Sequence, residues 1–287
     1  MIRPRFIPRL FILYVTGMVI ATIFDFEITK TLSQAGGSWA VILESVGEAP
    51  ALYFTAFNLS LICAYLRRRE RLLGVACSFF GSLFCCMYAT GRTLSYLTGA
   101  WLFPISIPVG AGIAIVFLVL CLRLQPERLE KYFKIALACF MAALTTLVVV
   151  SLMKQLWGRV RYRQILADPA LAFTDWYHIN GLGQPTHVSF PSGHTANAAV
   201  IMMITLYFPR QKHWLQPALY FFIALMAVSR LFTGAHFLSD VLTGGAITLL
   251  IAELWVRAFK VSLWEEDAAL AAHKSNQEGE DAIENDS

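Results

Sequence analysis

The sequence predicts an all-α fold, a polytopic integral membrane bundle of about eight transmembrane helices. Three observations predict it. The composition is 57% hydrophobic and only 15% charged, too apolar for an ordinary soluble domain of 287 residues. Apolar stretches recur near the roughly 20 residues that cross a hydrocarbon core. Lysine and arginine also collect in alternate loops, as they do where such loops face the cytoplasm.

The expected spans are 10–24, 49–66, 72–90, 101–122, 135–153, 190–208, 214–229 and 237–256. The first follows Arg3, Arg5 and Arg9 like the core of a signal peptide, but no small-residue cleavage site precedes "DFEITK", so it is a retained span. The segment after it, through "SWAVILESVGEAP", is partly apolar and predicts a helix lying in the interface, with no chemistry assigned. Arg67, Arg68, Arg69 and Arg71 follow the second span; Arg123, Arg128, Lys131 and Lys134 separate the fourth and fifth. Arg210 and Lys212 follow the sixth, and Arg257 and Lys260 the eighth, which places both termini inside.

The six cysteines lie in or beside spans, without metal-ligand spacing to histidine, and read as packing residues. Residues 263–287 are acidic and polar, a disordered cytoplasmic tail by composition. The net charge of +4 is modest, and no nucleic-acid partner is expected.

Five cations break the alternation: Lys154, Arg159, Arg161, Arg163 and Arg230 fall on the outer side. Snorkelling to headgroups would account for Arg159 and Arg163. Lys154, Arg161 and Arg230 accompany other polar residues at span ends. In "PSGH", Ser192 caps a helix start whose free amides, with Gly193, form an anion site, and His194 lies in the first turn. In "SRLFTGAHFLSD", His236 and Asp240 stand four residues apart, on one helical face, where a carboxylate can fix the imidazole tautomer and leave the other nitrogen free. A plain helix cap and a self-satisfied buried pair are the structural alternatives. Together the residues make a phosphate site with a nucleophile and a proton donor at the membrane edge.

At these residues the sequence resembles the type 2 phosphatidic acid phosphatase (PAP2) superfamily, in its membrane-bound lipid phosphatase branch. The resemblance rests on Lys154, six residues, then Arg161; on Pro191-Ser192-Gly193-His194; and on Ser229-Arg230, five residues, His236, three residues, Asp240. Tyr162 stands where the family has proline, which alters the turn after Arg161 without removing a phosphate-binding group. The resemblance implies a six-helix core at 71–262, with residues 1–70 as two additional N-terminal helices. It also implies that His236 attacks phosphorus to form a phosphohistidine while Asp240 holds its other nitrogen. His194 protonates the leaving oxygen and then activates water. Lys154, Arg161, Arg230, Ser192 and Gly193 bind the non-bridging oxygens. No metal or cofactor is implied.

The expected substrate is a membrane lipid phosphate on the outer side of a bacterial inner membrane: undecaprenyl diphosphate, phosphatidylglycerophosphate, phosphatidic acid or a lipid A phosphate. The loop 164–187 is expected to set the choice, with His178 and His187 either meeting a headgroup or standing by. A lipid phosphotransferase with the same intermediate is the near alternative, and an anion or lipid transporter the distant one. A silent scaffold is disfavoured by the complete motif set, and a haloperoxidase because those relatives are soluble.

Overall fold

The computed structural model describes residues 6–182, 186–208 and 214–261. The acidic tail and the cations Arg3, Arg5, Arg210 and Lys212 lie outside the described residues. The described residues form ten α-helices in order: α1 (Phe6–Ala35), α2 (Ser38–Val46), α3 (Ala49–Arg68), α4 (Leu72–Thr98), α5 (Phe103–Leu122), α6 (Pro126–Trp157), α7 (Tyr162–Ala167), α8 (Gly193–Val200), α9 (Leu215–Phe232) and α10 (Leu238–Phe259). There is no strand among the described residues. A 3-10 segment, Ile201–Tyr207, continues α8.

Seven stretches among the described residues are long and apolar enough to cross a membrane. The expected span over 190–208 is instead divided between α8 and the 3-10 segment, neither of which is long enough alone. Large apolar side chains remain exposed around the bundle, Phe11, Phe80, Phe84, Ile115, Leu147 and Phe221 among them. Lipid satisfies such a surface where water would not, because the helices satisfy their own backbone groups.

The first expected span is too short. α1 runs on through "DFEITKTLSQA", since nothing breaks a helix until Gly36 and Gly37, which take positive φ values of 62° and 146°. Asp25 therefore sits within the first long helix, where a separate helix lying in the interface was expected to begin.

Helix ends decide where the polar residues go. α6 begins at Pro126, whose missing N–H costs nothing in a first turn, and ends at Gly158 in the left-handed region at φ 53°. The Gly158 amide closes on the Lys154 carbonyl at 3.1 Å, and the chain turns so that Arg159 and Arg161 follow Lys154 at one end of the bundle. α10 packs against α6, α8 and α1. Its close approach to α8 needs Gly244, since a Cβ there would collide with the Ser192 carbonyl oxygen. The start of α8, the start of α10, the ends of α6 and α9 and the start of α3 thus share one end of the molecule. Arg67 and Arg68 at the end of α3, Glu127 at the start of α6 and Arg257 at the end of α10 belong to the opposite end.

Candidate active site

At the shared end a cavity of about 230 Å³ is lined by Lys154, Arg161, Gly193, His194, Arg230 and His236, six of the eight residues the sequence singled out. The other two stand behind it. Ser192 is fully buried, and its oxygen accepts from the Thr195 amide at 3.4 Å, the helix cap its position predicts. Asp240 is also fully buried, with Oδ2 3.5 Å from Nδ1 of His236. No hydrogen bond closes across that distance; unliganded catalytic contacts are often long and tighten with substrate. Because Nδ1 faces Asp240, Nε2 is the nitrogen left for a reacting atom.

The cations are held with donors to spare. Lys154 Nζ donates to the Val188 carbonyl at 2.8 Å. Arg230 gives Nη2 to Glu44 at 2.8 Å, while its Nε and Nη1, and Nε of Arg161, are buried with no partner among the described residues. Buried donors without acceptors are costly. An anion in the cavity would satisfy them.

Burial pushes the His236 imidazole down to about 3, against an ordinary value near 6.5. The unfolded chain takes a proton near pH 6.5 and the folded chain does not, so this group contributes stability above that pH and loses it as pH falls. In the unliganded protein, the isotope-labelled His236 ring should stay neutral by NMR from pH 8 to 5. A protonation midpoint near 6.5 would contradict the burial of the ring.

Several residues at the site were missed by the sequence. Arg159 does not snorkel: it is fully buried, donating to Asp240 Oδ1 at 2.6 Å, to Asp25 Oδ2 at 2.8 Å and to the Thr174 carbonyl at 2.8 Å. The Phe237 and Phe173 rings lie 4.3 and 5.2 Å from its guanidinium carbon. Arg163 pairs with Glu44 at 3.2 Å. The segment after the first span, to which no chemistry was assigned, supplies Asp25, Glu44 and Glu48. Glu48 lies 3.4 Å from His194 Nδ1 and 3.5 Å from Arg92, and His194 Nε2 meets the Glu44 carbonyl at 3.1 Å. Arg92 and Tyr96 from α4 line the same cavity. The one signal in the sequence that pointed this way is an acidic residue, Asp25, placed directly after an apolar run. His178 and His187 are not among the lining residues.

Residues 134–264 match the PAP2 superfamily. That segment is a PAP2 domain. The chain is also 37% identical over 71 residues to a lipid A 1-phosphatase of Porphyromonas gingivalis, an alignment covering 24% of this chain and 16% of that protein. No solved structure matches the chain significantly. Within the PAP2 segment, Tyr162 stands first in α7 and is buried, its ring edge-on to Phe26 of α1 and Phe237 before α10. A ring packed at the first helical position occupies the site where proline would also fit.

Proposed function

We propose that the protein is a lipid phosphatase that works without metal through a phosphohistidine, at the extracytoplasmic face of the membrane. One observation carries the reading: His194, His236, Lys154, Arg161 and Arg230 converge on a single cavity, with Asp240 behind His236. Nε2 of His236 attacks phosphorus, an N–P bond forms, and the P–O bond to the leaving group breaks. The leaving oxygen takes its proton from His194. In the second step His194 accepts a proton from water, whose oxygen displaces phosphate from His236. Lys154, Arg161, Arg230 and the Gly193 amide meet the charge on the non-bridging oxygens, where fixed donors out of water count most.

A lipid substrate is supported by the apolar surface around the site-bearing bundle and by the lipid A 1-phosphatase to which the chain is similar. The extracytoplasmic side is supported by the basic residues at the opposite end, around Arg67, Arg68 and Arg257.

The test is phosphate release by the purified protein in detergent with EDTA, from undecaprenyl diphosphate, phosphatidylglycerophosphate, phosphatidic acid and lipid A. Release that persists in EDTA, with labelled phosphate trapped on a histidine after acid-free quenching, is the expected result. A strict need for added magnesium would refute the mechanism, and labelled phosphate passing to a lipid acceptor would make the protein a phosphotransferase.

A further inference from the structure

Two carboxylates and one guanidinium meet at the start of α10, behind His236. Arg159 bridges them, with Nη1 on Asp240 and Nη2 on Asp25. Asp25 comes from α1, outside the PAP2 segment and 214 residues before Ser239, to which it is bound twice. The Ser239 amide donates to Asp25 Oδ1 at 2.9 Å and its hydroxyl to Oδ2 at 2.5 Å, while the same hydroxyl accepts from Arg159 at 2.7 Å. Asp240 completes the array: its Oδ2 accepts from the Ser189 hydroxyl at 2.5 Å and from the Phe237 amide at 2.9 Å. Asp25 is 3% exposed, and Arg159 and Asp240 are 0% exposed, so water screens none of them.

The charge count gives the arrangement its meaning. Arg159 and Asp240 alone would form a closed pair, with the carboxylate's charge committed to the guanidinium. Asp25 offsets the guanidinium instead, and the three groups together carry one net negative charge. The positive end of the α10 dipole supports both carboxylates. When Nε2 of His236 bonds to phosphorus, the ring keeps its proton on Nδ1 and becomes cationic. That cation forms 3.5 Å from Asp240, in an interior where such charges interact strongly.

We propose that Asp25 is a positioning residue for phosphoryl transfer: by offsetting Arg159 it fixes Asp240 and leaves that carboxylate's charge available to His236. The inference rests on the phosphohistidine reading. It makes the N-terminal helix part of the catalytic unit, although none of its residues is among those lining the cavity.

The test compares the wild-type chain with Asp25→Asn, which keeps the shape of the side chain, removes one charge and turns an NH₂ toward a donor of Ser239 or Arg159. Two quantities are read: inorganic phosphate affinity, and the single-turnover rate of labelling His236 per phosphate-binding site, from whichever of the four lipids labels the wild type. Labelling should slow roughly 10- to 100-fold, the cost typical of removing an outer-shell partner, with phosphate affinity unchanged because Lys154, Arg161 and Arg230 are untouched. Asp25→Glu, which returns the charge, should recover part of the rate. Rate and binding-site number falling together, with an unchanged rate per site, would make Asp25 merely structural and overturn the inference. If Asp25→Asn does not fold, Ser239→Ala serves: it removes the shared hydroxyl without changing charge, and an unchanged labelling rate there overturns the inference as well. Absence of label on wild-type His236 overturns the proposed function and the inference with it; label in the wild type and an equal rate in Asp25→Asn overturns the inference alone.

Discussion

His236→Ala is expected to lower turnover by about four orders of magnitude or more, the scale on which losing a nucleophile acts. The ring lines the cavity and its Nδ1 closes no hydrogen bond, so its removal leaves the bonds of Asp240 to Arg159, Ser189 and the Phe237 amide in place. Lys154, Arg161 and Arg230 stay in place, and the variant should bind inorganic phosphate with near wild-type affinity while carrying no phosphoryl label. Both are measurable on one detergent preparation, by calorimetry and by acid-free quench. Wild-type turnover from this variant would transfer the nucleophile's role to water or to His194.

Asp240→Asn is expected to act on two levels. Both carboxylate oxygens accept: Oδ1 from Arg159, Oδ2 from Ser189 and the Phe237 amide. An amide offers one acceptor oxygen, so its NH₂ must confront a donor, and each buried donor left unpaired costs roughly 1–3 kcal/mol. A lower thermal midpoint in detergent is the first readout. The second is catalytic: without a carboxylate to hold the Nδ1 proton, His236 loses both its tautomer and the partner for its developing charge. In serine proteases the corresponding change costs about 10⁴-fold, and a loss of that order per folded molecule is expected here. Turnover within tenfold of wild type would show that Asp240 serves the fold alone.

The catalytic candidates were legible because they are local. Pro191-Ser192-Gly193-His194 and the spacing from Arg230 through His236 to Asp240 are short strings, and a helix start or an i, i+4 pair needs no knowledge of the rest of the chain. Arg159 was misread for the opposite reason. A guanidinium near a membrane edge meets either headgroups or a buried acid, and its neighbours in sequence are Gly158 and Val160, which favour neither. Asp25 and Glu44 lie far from it along the chain, in a stretch whose length and mild polarity suggested a surface helix.

The sequence by itself determined the membrane bundle, the alternation of its basic loops and the residues that gather at one end, because apolar length, loop charge and motif spacing are properties of segments. Only the tertiary structure decided what stands behind and beside those residues: Asp25 and Arg159 behind Asp240, Glu44 on Arg230 and Glu48 beside His194. The physical reason is that a buried charge is stable only with its partner, and in a helical bundle that partner comes from whichever helix packs alongside, at a separation along the chain that no local pattern records.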